Sequence, residues 1–188
     1  LLLLATAGGV RADNAPRSLF GPRLLLSPVQ TDGLKIAIFP VQNLSGMPAP
    51  TREIDLEFAA AVELTGARLV SRAAVEGFIE RHWVRQLGYI DEQTAALLRR
   101  ETGADAVLLS NIEVYKEDDI PRFALISRMV ATDKMPRIIW MDSASLVGDE
   151  SPGILGLGII TGPKRLREIV MEQICSSLHK FITAPPIR

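Results

Sequence analysis

Two uninterrupted apolar runs, Ile36-Ala37-Ile38-Phe39 and Ala106-Val107-Leu108-Leu109, constrain the fold of this chain more than any other feature. A strand that is apolar at every position, without alternation, is covered on both faces, which requires helices on both sides of its sheet. The residues between the two runs supply them. From Glu53 the spacing turns helical, with Ile54, Phe58, Ala61 and Val62 on one stripe. Gly66 stops that helix, and Arg68-Leu69-Val70-Ser71 reads as a short strand. Val75, Phe78, Ile79, His82 and Trp83 form the stripe of a second helix, in a segment that Gly88 ends. Asp91 is a good N-cap for a third helix through Thr102, with Gly103 at its C-terminal stop.

The pattern changes after the second run, which extends to Tyr115. Phe123–Ala131 and Ile138–Leu146 read as two further strands, joined by turns at Glu117–Pro121 and Asp133–Pro136. Connections this short cannot hold crossover helices, so this half is an antiparallel meander. A glycine-rich loop, Gly148–Gly162, leads to a last helix striped by Leu166, Ile169, Val170, Ile174, Leu178 and Phe181. The order β-α-β-α-α-β-β-β-α predicts an α/β (α+β) fold: a mixed sheet of about five strands with helices packed on it.

At 188 residues the chain has room for one domain, expected at 34–183, with an irregular linker or arm at 13–33 and a tail at 184–188. Phe20, Leu24, Leu25 and Leu26 make the arm apolar enough to dock on the domain. Residues 1–12 look like the remnant of a signal peptide: Leu1–Leu4 as the end of its apolar core, and Val10-Arg11-Ala12 suited to cleavage before Asp13. The expectation is an exported, periplasmic protein. No stretch is long enough to span a bilayer, which leaves peripheral attachment open.

With 47% apolar residues the domain can bury its core without metal or disulfides, and its single cysteine, Cys175, excludes an internal bridge. The net charge of -1 and the absence of basic blocks argue against nucleic acid as partner. Chemistry is equally thin. Cys175 and His179 lie four apart on the last helix, but no third ligand or orienting carboxylate accompanies them, so packing is the better account. His82, beside Trp83, reads as a partly buried packing residue. Asp142 lies within a strand, where an edge or outward position accounts for it. Ser45 has no evident base. The Gly153–Gly158 glycines precede Lys164 and Arg165, yet their order reverses the dinucleotide fingerprint, and apolar residues separate them. The sequence predicts no catalytic residue, no metal ligand and no cofactor.

The segment Ile36-Ala37-Ile38-Phe39-Pro40-Val41-Gln42-Asn43-Leu44-Ser45-Gly46 resembles the opening of a bacterial envelope superfamily. It includes the amino-terminal domain of TolB, the curli-secretion lipoproteins and the lipoprotein activators of penicillin-binding proteins. Leu69-Val70-Ser71-Arg72 and Glu101-Thr102-Gly103-Ala104-Asp105-Ala106-Val107-Leu108 continue the likeness, and the order of elements agrees from Lys35 to about Phe181. Gly103 and Asp105 also have a local reading, as a left-handed helix stop and a side chain bonding the turn backbone. No propeller repeats, lipobox cysteine before Asp13 or long alternating hairpins accompany these motifs. The resemblance implies a non-catalytic protein-binding or adaptor domain in envelope assembly, secretion or cell-wall regulation, with envelope proteins as partners. The contact residues on that reading are Asn43, Leu44, Ser45 and Gly46 in one loop and Ile154, Leu155, Leu157 and Ile159 in the other. Two alternatives stand beside it: a structural subunit of an oligomeric envelope assembly, and a phosphate- or nucleotide-binding protein using the Gly153–Gly158 loop.

Overall fold

The computed structural model describes residues 33–150 and 159–184. The expected signal remnant, most of the arm, the Gly153–Gly158 loop and the end of the tail lie outside them.

The first apolar run becomes β1 (Lys35–Ile38), and the second opens β4 (Ala106–Lys116). Between them lie β2 (Gln42–Asn43), α1 (Thr51–Glu63), β3 (Arg68–Leu69), α2 (Arg72–Arg81) and α3 (Glu92–Thr102). The second half comprises β5 (Arg122–Ala131), β6 (Ile138–Val147) and α4 (Pro163–Ile182). The strands form one mixed sheet ordered β3-β1-β4-β5-β6, with β2 also beside β4. β1 pairs parallel with β3 and with β4, Ile36 opposite Ala106, whereas β4-β5 and β5-β6 are antiparallel.

Both faces of β1 and β4 are buried, as their unbroken apolar runs require. Ile36, Ala106 and Leu108 point into a core with Ile54, Phe58 and Val62 of α1 and Val170, Ile174 and Leu178 of α4. Ala37, Phe39, Val107 and Leu109 point the other way, against Val75 and Phe78 of α2 and Ala95 and Leu98 of α3. The meander extends the first core with Leu125, Met129 and Trp140. Inside the sheet the buried hydroxyls of Ser110 and Ser127, directly opposite each other, share a 2.8 Å hydrogen bond.

Three details differ from the sequence expectation. The Val41–Pro50 loop contains the short strand β2. Pro40 has no N–H for the ladder, but past it the chain rejoins β4 in parallel at Asn111 and Ile112. Trp83 leaves the stripe of α2: the helix ends at Arg81, and Trp83 takes a left-handed φ of 51° with 79% of its surface exposed. Asp105 reaches beyond its own turn: its carboxylate accepts from the amide of Lys35 (3.0 Å), tying the start of β4 to the start of β1. The predicted ends of α3 hold, with Asp91 accepting from the Thr94 amide (2.8 Å) and Gly103 left-handed at φ 69°.

Candidate docking surface at the carboxyl end of the sheet

Strands β1, β4 and β6 run in one direction and deliver three connections to one end of the sheet: the loop after Pro40, the β4–β5 turn and the segment after β6. Hydrogen bonds join the last two, since Gly148 donates to Pro121 O (2.9 Å) and Ile160 donates to Gly148 O (2.8 Å). A Cβ on Gly148 would stand 2.3 Å from the Ile160 carbonyl oxygen, so this closure requires glycine.

The first loop is held by its own side chains. Asn43 donates to Met47 O (2.8 Å), and its Oδ1 accepts from the Ser45 amide (3.1 Å) and hydroxyl (2.7 Å). Gly46 supplies a φ of 72°. The Leu44 amide donates to Ile112 O (2.9 Å), which fixes the turn to β4. With its polar groups satisfied, the turn presents Leu44 and Met47 to solvent, each 51% exposed. Asn43 and Ser45 therefore shape this turn, and Leu44 is its apolar projection. Ile159, at the base of the second loop, is also exposed. Ile154, Leu155 and Leu157 lie outside the described residues.

Beside Pro40 a cavity of about 520 Å³ opens between α1 and α2, with Ile38, Leu56, Ala59, Leu69 and Val75 in its wall. Its polar end is an ion pair the sequence reading did not single out. The buried Asp55 carboxylate accepts from the Val41 amide (3.0 Å) and from Arg72 Nη2 (2.5 Å), and Arg72 also reaches Glu76 (2.8 Å). The Asp55 hydrogen bond, then that of Glu76, raises the Arg72 pKa above its ordinary value. Asp55 thus anchors the start of the loop that displays Leu44.

A second missed cluster underlies this end. Arg167 of α4 is only 3% exposed. Its guanidinium meets Glu53 (2.5 Å) and Glu57 (3.0 Å) of α1, Glu117 (3.5 Å) after β4, and the Tyr115 hydroxyl (3.4 Å). The Tyr115 hydroxyl in turn donates to Glu117. Burial first, then the neighbouring carboxylate, pushes the Tyr115 phenol above its ordinary range. The available signal was positional: Arg167 shares the helical register of Val170 and Ile174, where an arginine needs carboxylates.

The suspected chemical pairs carry no reactive geometry. Cys175 is buried, and burial pushes its thiol up to about 12, away from the thiolate a nucleophile needs. His179 is occupied elsewhere, with Nδ1 2.9 Å from Thr65 O. His82 packs at a tilt against Phe78 with ring centroids 4.6 Å apart and meets Glu101 at 2.6 Å. Asp142 accepts from the Ser143 amide (2.8 Å), and Arg165 pairs with Glu168 (3.2 Å). Among the described residues, no group of three His, Cys, Asp or Glu side chains is arranged to hold a metal, and no helix is long and apolar enough to cross a membrane.

No family model matches this chain, and no curated protein matches it in sequence. Solved structures do. Lipoprotein GNA1162 from Neisseria meningitidis superposes with a TM-score of 0.54 at 20% identity, over 77% of this chain and 99% of that one. PelC from Paraburkholderia phytofirmans, solved as a dodecamer, gives 0.51 at 15% identity, over 87% and 96%. The LpoB C-terminal domain from Salmonella enterica gives 0.50 at 19% identity, over 61% and 83%. This chain shares the fold of these three proteins. At such identities the likeness is one of fold.

Proposed function

We propose that this chain is a non-catalytic, exported protein-binding domain of the bacterial envelope, which holds its partner at the carboxyl end of the sheet. The observation that carries this reading is the Asn43–Met47 turn. Three side-chain hydrogen bonds satisfy its polar groups, so it is rigid before any partner arrives, and it spends that rigidity on displaying Leu44 and Met47. Preorganised apolar projections beside a cavity are the economical form of a docking surface, because little conformational entropy is lost on contact. The shared fold with a lipoprotein and with the LpoB domain supports an envelope setting. The ordinary hydrogen-bond partners of Cys175's neighbour His179, of His82 and of Asp142 support a role without catalysis.

A photo-crosslinking residue at Leu44 tests both halves of the reading in the native cell. It should give one defined adduct in the envelope fraction, and Met47→Asp should abolish it. Recovery of the protein in the cytoplasm, or adducts that ignore Met47→Asp, would refute the proposal.

A structural subunit is the second reading, favoured by the dodecameric PelC that shares the fold. Light scattering separates the two: a mass that rises with concentration to a closed ring supports the subunit, and a constant monomer mass supports the adaptor.

A further inference from the structure

On the sheet face opposite α1 and α4, a groove of about 510 Å³ lies between the α2–α3 connection and the β5–β6 turn. Leu109, Arg128 and Val130 of β4 and β5 line it, with Tyr89 on one side and Met135 and Ile138 on the other. Tyr89 and Met135 are 63% and 77% exposed, unusual for large apolar side chains in adjoining loops. Arg128 sits in mid-sheet, opposite Leu109 on one neighbour and Met141 on the other. Its Nη2 donates to Gly88 O (2.6 Å), which turns the guanidinium toward the α2–α3 connection. Among the described residues it has no carboxylate partner, and neither has Arg85 in the same connection. Among the described residues the other arginine drawn out of solvent, Arg167, is matched by carboxylates.

We infer that this groove is a second docking site, for an extended acidic segment of a protein partner, with Arg128 receiving a carboxylate while Tyr89 and Met135 flank the neighbouring apolar side chains. The charge pattern selects that occupant. A partly buried arginine gains a charge-assisted, bidentate pair from a carboxylate. Glu92 in the groove wall, and Asp133 beside Arg137 at its edge, oppose the continuous negative charge of a phosphate backbone but leave room for isolated carboxylates. This inference goes beyond the proposed function and uses none of its contact residues, so either can fail alone.

Fluorescence anisotropy on the full chain tests it, with a fluorescein-labelled peptide alternating Glu and Leu and a counterpart alternating Gln and Leu. The acidic peptide should bind and the neutral one should not. Arg128→Gln should weaken binding roughly tenfold, the scale of one lost hydrogen bond to a charged group. Met135→Glu should weaken it similarly by repulsion, and since Met135 is exposed this variant keeps the fold even if Arg128→Gln does not. Leu44→Asp should leave binding unchanged. Equal binding of the two peptides, no binding of either, or an affinity indifferent to Met135→Glu would overturn the inference. So would displacement of the peptide by an equal concentration of oligothymidylate, which would mark a general polyanion site.

Discussion

Arg167 concentrates the electrostatics of this molecule at one residue. Burial opposes its charge, but the carboxylate of Glu57, with Glu53 beyond it, outweighs that penalty, and its pKa stands above the ordinary arginine value. The guanidinium joins α4 to α1 and to the end of β4, so three elements under the docking surface depend on it. Removing one partner of a buried pair is costly because the remaining charges lose their compensation. Glu53 and Glu117 are about half exposed and can recover water, so Arg167→Met should destabilise by about 2–3 kcal/mol, below the full buried-pair figure. Arg167→Lys should recover only part of this, because an ammonium cannot address three carboxylates with one planar fork. Urea denaturation of the two variants measures both effects, and an Arg167→Lys variant as stable as the wild type would show that charge alone suffices. The sequence places Arg167 on the buried register of the last helix. It cannot name the partners, because Glu57 lies 110 residues away and only the packing of α4 on α1 brings them together.

At the scale of elements, α3 shows how far local chemistry can be read in advance. Its first residue, last residue and cap follow from Asp91 and Gly103, whose reasons are confined to one turn. Hydrogen bonds from the Thr94 amide and hydroxyl hold the Asp91 carboxylate below its ordinary pKa of 3.8. A depressed folded-state pKa contributes stability above the unfolded value and loses it as the pH falls through the folded one. Asp91→Ala should therefore cost about 1 kcal/mol at neutral pH, and Asp91→Asn less. The gap between wild type and Asp91→Ala should narrow as the pH drops below 3.8, which thermal melts over an acid series will show. The end of α2 was not legible in the same way. Trp83 continues an apolar stripe, yet the helix stops at Arg81 because the chain turns through a left-handed residue, and no glycine marks that turn. β2 was hidden for a different reason: a two-residue strand beyond a proline has no periodicity to detect, and its evidence lies in β4. Of the docking surface, the exposed turn could be read from Asn43, Ser45 and Gly46, whereas the cavity beside it exists only once α1 and α2 are placed.

For the whole molecule, the decisive fact is that two cores share two strands. Alternate side chains of β1 and β4 enter opposite cores, Ile36 and Leu108 with α1 and α4, Ala37 and Val107 with α2 and α3. Neither helical layer can leave without exposing the strands that the other layer packs on, so the faces should melt together. The second core is the smaller, and β5 and β6 give it only Val130 and Ile138. If the coupling through β1 and β4 were weak, α2 and α3 would come away first and leave an intermediate built on α1, α4 and the meander. Two probes distinguish these cases. Trp140 is buried in the first core, and in a Trp83→Phe background it is the sole tryptophan. Its fluorescence reports the first core, while far-ultraviolet circular dichroism weighs α1 to α4 together. The shared strands predict coincident urea transitions for the two signals. Leu108→Ala in the first core and Val107→Ala in the second should lower both midpoints together, Leu108→Ala by about 3 kcal/mol and Val107→Ala by about 2 kcal/mol. A circular dichroism change that precedes the Trp140 transition, and widens with Val107→Ala alone, would show the α2–α3 layer to be a separate cooperative unit. The groove floored by Arg128 would then sit on the less stable half of the molecule, and the Leu44 turn on the more stable one.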